Sequence, residues 1–491
     1  MNFETIIGLE VHVHLLTRSK MFCRCSADYA GSPPNTHVCP VCLGMPGVLP
    51  VINRQAIEYT AMTALALNCS VSEYTRFDRK NYPYPDLMKG YQISQYEAPV
   101  GYNGWIDVEI NGNRNRVGVT RVHLEEDVAK LLHRTSPDSN TYSLMDVNRS
   151  GVPMMEIVSE PDLRSPEEAR QYLMKLRSIL RYIGVSDANM EEGSFRCDAN
   201  ISIRPEGSQE TTTKVEVKNM NSFRSVYRAL EYEARRQQKA VEEGKRLVQE
   251  TRGWVEEKGK TVSQRSKEYA HDYRYFPEPD LPPLIISREW VEQIKSKLPE
   301  LPEARRDRFI ADYGLQLYDA NLLTASKEMA DYFEDVTRTD QYKELPPDKA
   351  AKEMSNWLLG EVSHILNTNN VDITDFAKKV SPERLVGLLV LESQRVVNTP
   401  VAKSVLGEMY ATSKEAADII QEKGLGQISD TGEVEEIITQ VIKDNPQPVA
   451  DFRKGKEQAL KFLVGQVMKA TRGRANPQLA NELLKKKLGE E

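Results

Sequence analysis

Ten residues into the chain, the stretch EVHVH sets Glu10, His12 and His14 at alternate positions. In an extended strand such residues share one face, and Val11 and Val13 take the other. The β-forming flanks TIIGLE and LL predict that strand. Two readings stand side by side: an H-x-H pair of imidazoles suits zinc, and an edge strand with a polar outer face carries the same pattern.

The cysteines sharpen the choice. Cys23, Cys25, Cys39 and Cys42 follow a C-x-C-x13-C-x2-C spacing around the loop GSPPNTH. Two short-spaced thiolate pairs can close a tetrahedral site, and a loop with no core of its own needs such a brace, so structural Zn²⁺ is expected over 23–42. If the thiolates take the soft metal, Glu10 and His12 fit a hard cation shared with carboxylates. Candidates are Glu125, Glu126 and Asp127; Glu191, Glu192, Asp198 and Asn200; and Glu216 with Lys218 and Asn219. Mg²⁺ is held by one or two carboxylates while phosphate and water complete its octahedron. A solvated face of an antiparallel sheet gives the same pattern.

Phosphate could also be met by FDRKNYPYPDLMKGYQISQY, residues 77–96, where Arg79, Lys80 and Lys89 alternate with Tyr82, Tyr84 and Tyr91. The competing reading is a hairpin with core tyrosines. GWVEEKGKT is no P-loop, because five residues separate Gly253 from Gly259 where four are required; it reads as a turn. From 451 to 491 there are ten Lys and Arg against five Asp and Glu. Lys469, Arg472, Arg474 and Lys485 to Lys487 there could track an RNA backbone or simply face solvent.

Positioning these residues requires strands first and helices after. TIIGLEVHVHLL, WIDVEI, NRVGVTRVHL, DANISIRP and TKVEVKN read as strands, with a hairpin around Asn111 to Asn115. A helix over 166–183 opens on a capping box, Ser165 with Glu168, and stops at Gly184; a second spans about 222–243. The Pro-rich passage 275–287 reads as an extended linker. Beyond it, helices are predicted near 289–298, 303–313, 325–337, 347–367, 382–395, 400–409, 413–423, 432–443, 447–472 and 477–488, with breaks at NNVDITDFAKKVSPE and EKGLGQISDTGE. The 491 residues suffice for roughly two to four domains. No apolar run reaches the roughly 20 residues of a membrane span, and MNFETIIGLE lacks a signal-peptide pattern, which predicts a cytoplasmic protein with reduced thiols. A net charge of −7 does not mark a general nucleic-acid binder, although a local patch can act as one.

The ordered motifs GLEVHVHL, PNTHVCPVCLGMPGVLPVIN, FDRKNYPYPDLMKGYQISQYE, HLEEDVAK, VNRSGVPMMEIVSEPD, GVSDANMEEGSFRCDANISIRP, EVKNMNSF, QETRGW, DYRYFPEPDL and FLVGQVMKATRGRANPQL resemble the B subunits of bacterial-type aspartyl/glutamyl-tRNA amidotransferases. The resemblance implies a ligase that works with a glutaminase A subunit and a small C subunit. It would use ATP to phosphorylate the side-chain carboxylate of Glu-tRNA(Gln) or Asp-tRNA(Asn), and then displace phosphate with ammonia. By the same resemblance Glu10, His12 and Glu125 would bind Mg²⁺. Glu191, Asp198 and Glu216 would assist, and Lys80, Tyr82, Lys89 and Lys218 would meet ATP or the acyl phosphate. Lys469, Arg472, Arg474 and Lys485 would meet tRNA. The implied fold is α+β: a cradle-like antiparallel-sheet catalytic region over 1–290, a helical domain over 291–407, and a helical tail domain over 408–491. No role follows for His14. The archaeal-type E subunit is the nearest rival, but PEPDLPPLIISREW passes directly into helix and leaves no space for its inserted domain. A zinc hydrolase built on His12 and His14 would lack a third ligand at fixed spacing, and a non-catalytic tRNA scaffold would not need the acidic cluster.

Overall fold

The computed structural model describes residues 3–489 other than 111, 139, 209, 267–269, 348, 427–430, 454–455, 472–474 and 476. The chain divides into two compact units, Met1–Leu301 and Pro302–Glu491.

In the first unit the strands are β1 Phe3–His14, β2 Ser70–Val71, β3 Tyr74–Thr75, β4 Asp78–Asn81, β5 Tyr91–Ser94, β6 Gly101–Ile110, β7 Asn113–Glu126, β8 Lys130–Thr135, β9 Thr141–Asp146, β10 Pro153–Ser159, β11 Phe195–Pro205, β12 Val215–Met220, β13 Glu250–Val255, β14 Lys260–Ser266, β15 Phe276–Pro277 and β16 Leu284–Ile285. Nine form one sheet in the order β14-β13-β12-β11-β1-β10-β7-β6-β2. Its described pairings are antiparallel apart from β12 with β13, which run parallel, so the sheet is mixed rather than wholly antiparallel.

The pleat sorts the sequence into two faces. Ile7, Leu9, Val11 and Val13 of β1 are buried, as are Cys197, Ala199 and Ile201 of β11 and Met155 and Ile157 of β10. This apolar face shares one core with the helices α1 Arg54–Ala66, α2 Pro166–Tyr182 and α3 Phe223–Glu242. Helix α2 turns Ala169, Leu173, Leu176 and Leu180, spaced at three and four residues, into the core. Its capping box is modified: Ser165 Oγ accepts from the Glu168 backbone N–H at 3.1 Å, but the Glu168 carboxylate accepts from Arg164 N–H at 2.7 Å, one residue before the cap. Strands β6 and β7 pair antiparallel up to Ile110 with Asn113, as the expected hairpin requires; Asn111 lies outside the described residues.

The Pro-rich passage is not a free linker. Strand β15 pairs with β4 and β16 with β3, and buried Glu278 receives two hydrogen bonds from Arg79, at 2.7 and 2.8 Å. Helix α4, Arg288–Lys295, then joins the core of the first unit through Ile294, so the division between units falls after Leu301 rather than near 290.

The second unit is helical: α5 Pro302–Tyr313, α6 Leu317–Leu323, α7 Lys327–Arg338, α8 Ala350–Trp357, α9 Ser363–Asn369, α10 Ile373–Lys379, α11 Pro382–Ser393, α12 Thr399–Thr412, α13 Ala416–Lys423, α14 Thr431–Asp444, α15 Pro446–Arg453, α16 Glu457–Ala470 and α17 Pro477–Gly489. Helices α8 and α9 join through a π turn, Leu358–Val362, as one run. The sequence reading missed α6 and α10. Asn370 ends α9 in the left-handed region and Asp372 caps α10 through the Asp375 N–H, so the expected break holds a short helix. The predicted helix 447–472 is divided into α15 and α16. Residue 407 lies inside α12, whose Val405, Leu406 and Met409 belong to a core running from Phe309 to Ile420; a separate apolar cluster begins at Val434. Among the described residues no helix is long and apolar enough to cross a membrane.

Leu173 is fully buried in the core that sets the strand register. Leu173→Ala is expected to cost about 2–5 kcal/mol of stability by cavity formation, read as a lower denaturation midpoint in chemical unfolding with the far-ultraviolet spectrum of the native state unchanged.

Candidate active site on the polar face of the sheet

The face opposite the helices gathers the chemistry. Register places His12 across from Glu156 and Glu10 across from Val158 on β10, and Glu156 across from His123 on β7. On the other side of β1, His12 faces Arg196 and Glu10 faces Asp198 of β11. Further along the sheet, Asn200 pairs with Glu216, and Glu216 with Thr251.

Three ligating groups converge. His12 Nε2 lies 3.3 Å from Glu125 Oε1 and 3.5 Å from Glu156 Oε2, and ligand atoms of the three residues lie within 4.8 Å of one another. Glu156 also meets His123 Nε2 at 3.3 Å, and Ser94 Oγ donates to Glu125 Oε2 at 3.4 Å. Glu125 and Glu156 are only 1% and 7% exposed. Burial disfavours the His12 imidazolium, but the hydrogen bond and charge of Glu156, with the charges of Glu125 and Asp198, outweigh it and raise the pKa to about 9. Burial likewise opposes the Glu156 carboxylate, yet His123 and His12 hold its pKa well below the ordinary range.

Glu156 stands where the sequence reading placed Glu10. Glu10 is two residues along β1 from His12, and its Oε1 accepts from Asn200 Nδ2 at 2.8 Å. Asp198 and Glu216 share the face but hold Lys218, whose Nζ is 2.6 Å from Asp198 and 3.6 Å from Glu216; Thr251 Oγ1 donates to Glu216 at 2.6 Å. Glu191 is elsewhere, exposed in the turn before β11, with its backbone N–H bound to Asn189 Oδ1. Lys89 pairs with buried Glu126 at 2.6 Å.

Lys80 is placed differently. Its ammonium lies 5.0 Å from the Tyr273 ring centroid. Burial opposes its charge, but Glu125, Tyr275 and Glu156 raise its pKa. Tyr82 packs edge-on to Tyr273, and its OH reaches Gln92 at 3.4 Å. Tyr275 stacks on Tyr96 with centroids 4.5 Å apart. The sequence reading named Tyr82 but missed Glu156, His123 and the partner rings Tyr96, Tyr273 and Tyr275. Only Glu156 left a signal, a lone carboxylate in phase with Met154 and Val158 in an apolar strand.

The four cysteines form a second donor set, their Sγ atoms also within 4.8 Å of one another. The Cys39 backbone N–H points at Cys42 Sγ at 3.1 Å. The Cys42 thiol is drawn well below its ordinary range by a hydrogen bond from Cys23, against the cost of burial and with help from the Lys20 charge. Both donor sets fit the metals expected of them: thiolates suit Zn²⁺, and two carboxylates with an imidazole leave positions for water or phosphate around a harder ion. Near the C-terminus, Lys469 on α16 and Lys485 on α17 are exposed, while Arg472 and Arg474 lie outside the described residues. Lys487 is engaged by Thr439 Oγ1 at 2.6 Å.

The GatB/GatE catalytic domain family matches residues 5–292, and the GatB domain family matches residues 331–488. The B subunit of an aspartyl/glutamyl-tRNA(Asn/Gln) amidotransferase from Dehalococcoides mccartyi is 63% identical over 488 residues, 99% of each chain. Proteins of the same name from Carboxydothermus hydrogenoformans and Moorella thermoacetica are 52% and 54% identical, over 99% of this chain and 99% and 100% of theirs. The chain belongs to this family of amidotransferase B subunits.

Three expectations follow. A metal must displace the His12 proton, so Mn²⁺ affinity measured by calorimetry should rise about tenfold per pH unit and level off above about 9; a flat profile from pH 6.5 to 9 would contradict His12 as ligand. In the metal-free protein the raised pKa stabilises the fold below the ordinary histidine range, a contribution lost as pH climbs through about 9. Separately, elemental analysis should find about one zinc per chain, and Cys42→Ser should lower both zinc content and melting temperature.

Proposed function

We propose that this chain is the catalytic B subunit of a tRNA-dependent amidotransferase, a ligase that forms a carbon–nitrogen bond with glutamine as amido donor. It acts in the cytoplasm with a glutaminase A subunit and a small C subunit on Glu-tRNA(Gln), Asp-tRNA(Asn) or both. The observation that carries the reading is the convergence of His12, Glu125 and Glu156 on the polar sheet face in a chain with full-length B-subunit relatives.

In the proposed reaction a carboxylate oxygen of the tRNA-borne residue attacks the γ-phosphorus of ATP as the bond to ADP breaks. Ammonia then attacks the acyl carbon, phosphate leaves with the bonding electrons, and the nitrogen gives up a proton. Such chemistry depends on neutralising and positioning charge. His12, Glu125 and Glu156 would hold Mg²⁺, which when bound offsets phosphate charge and orients its oxygens. Glu10, Asp198 and Glu216 order the adjoining face through Asn200 and Lys218. Lys80, beside Tyr82 and Tyr273, supplies a cation toward ATP. Lys89 and Lys218, paired in the protein alone, can exchange carboxylate for phosphate. The Cys23, Cys25, Cys39 and Cys42 site would carry structural Zn²⁺.

The first unit would act as the cradle, the helices after it as two all-α domains, and the exposed lysines of the last two helices as a grip on tRNA. The archaeal-type alternative is not favoured, since the GatB domain match and the full-length B-subunit relatives leave only residues 293–330 between the matched regions.

With the A and C subunits present, His12→Ala is expected to lower ammonia-supported conversion of radiolabelled Glu-tRNA to Gln-tRNA, and the accompanying ATP hydrolysis, by about 10²–10³-fold, with tRNA affinity retained. Wild-type turnover by this variant would sink the reading.

A further inference from the structure

The polar face holds one charged network that neither the metal group nor the lysine pairs use. Asp127, immediately after β7, is 2% exposed. Its Oδ2 lies 2.7 Å from His14 Nε2, 2.7 Å from Arg196 Nη2 and 3.5 Å from Arg149 Nε. Its Oδ1 accepts from the Val128 backbone N–H at 2.8 Å. An ionised carboxylate only accepts, so His14 Nε2 carries the proton and donates to Asp127. The 3.4 Å approach of Arg196 to that nitrogen is then packing, not a hydrogen bond.

The two arginines differ in what they have left to give. Arg149 donates to the Val128 and Ala129 carbonyls at 2.9 and 3.0 Å, which fixes it to the backbone. Arg196 donates through Nη2 alone, to Asp127 and to Met154 Sδ. Among the described residues its buried Nε has no partner and its Nη1 makes no hydrogen bond, although the side chain is 39% exposed. Arg196 stands across from His12 in the β1–β11 register, and the charges of Glu125 and Asp198 act on it. Arg196, Arg149 and His14 together hold Asp127 ionised, with the charge of Arg196 first among them, yet that pairing engages only Nη2 of the Arg196 fork. A planar guanidinium with spare donors, fixed at one corner by a buried carboxylate, is a preorganised receptor for an oxyanion.

We propose that Arg196 is a catalytic residue that binds the phosphoryl group, and that His14 and Asp127 are positioning residues that hold its guanidinium on the polar face beside His12. The proposal rests on the reaction assigned above. The phosphoryl group keeps its nonbridging oxygens through both steps, first as the γ-phosphate of ATP and then on the acyl phosphate, so one fixed guanidinium serves both.

The test uses the complex with its A and C subunits, assayed with ATP, Glu-tRNA and ammonium. Arg196→Lys keeps a cation beside Asp127 but loses the fork. It should lower kcat about 10²-fold, with KM for Glu-tRNA and the Mn²⁺ affinity unchanged. Arg196→Ala should recover at least tenfold in the presence of millimolar guanidinium. His14→Gln and Asp127→Asn should each lower kcat about 10–100-fold with Mn²⁺ binding retained. Turnover of Arg196→Lys within twofold of wild type, failure of guanidinium to rescue Arg196→Ala, or loss of Mn²⁺ binding in Arg196→Lys would each overturn the proposal. His12→Ala run in parallel separates the two readings: if it is inactive while Arg196→Lys is normal, only the role of Arg196 falls. Normal turnover by His12→Ala removes the assigned reaction itself.

Discussion

Two carboxylates almost without water, Glu125 and Glu156, set the terms for the rest of the first unit. Neither can stay ionised in a low-dielectric setting without close cations or donors, and both sit on adjacent strands whose register is antiparallel and fixed. The protein answers with His12 and His123 on either side of Glu156, and with Ser94 and the ammonium of Lys80 toward Glu125. The His12 proton is the part of this answer that a divalent ion can replace directly. The raised pKa of His12 is therefore a measure of how strongly this charge pattern asks for a cation.

That arrangement survives only if the strands do not slip. A one-residue shift of β1 would turn His12 toward the helices and Val11 or Val13 toward the carboxylates. The cost of exposing Val11 and Val13 while burying His12 and His14 forbids it, so the helix-covered core holds the site together from the far side of the sheet. Local braces do the remaining work. The cysteine loop is tied to the segment before β10 by Asn35 and Asn148: Asn35 Oδ1 accepts from Val147 N–H at 2.7 Å, and Asn148 Oδ1 accepts from His37 N–H at 2.8 Å. Buried Lys20 adds a hydrogen bond to the His37 carbonyl at 2.8 Å. The strand that delivers Glu156 thus begins from a clamped end. In the same way Arg79, locked to Glu278, fixes the backbone beside Lys80.

What could be read in the sequence follows the range of the interactions. The cysteine quartet, the polar face of β1, helix α2 with its Ser165 cap and helix α3 all rest on spacings of a few residues, and each was legible. Glu156 was not, because its meaning comes from pairing with His12 across 144 positions of sequence and its own surroundings read as apolar strand. Glu10 was legible because it shares a strand face with His12; in the structure its carboxylate is engaged by Asn200, and the group that converges on His12 is Glu125 with Glu156. The Pro-rich passage misled for the opposite reason: its local chemistry says extended, but whether an extended segment is a linker or an edge strand depends on partners such as β3 and β4. Short helices α6 and α10 lacked the length that makes a 3.6-residue period visible.

The proposed reaction, which brings a carboxylate to a triphosphate beside buried carboxylates in a chain of net charge −7, poses a problem of charge. Overall composition gives no help, since long-range attraction would be weak and screened beyond about 10 Å. In the proposed site the cations are supplied one at a time by different elements, Lys80 from β4, Lys218 from β12 and Arg196 from β11, each near a carboxylate that favours its charge. In the proposed reaction a lysine engaged with Asp198 or Glu126 exchanges most favourably for a group with more negative charge than a single carboxylate. A phosphate meets that condition and a lone carboxylate does not. On this reasoning the order of the proposed reaction, nucleotide charge first and amide formation second, is favoured by the electrostatics of the polar face itself.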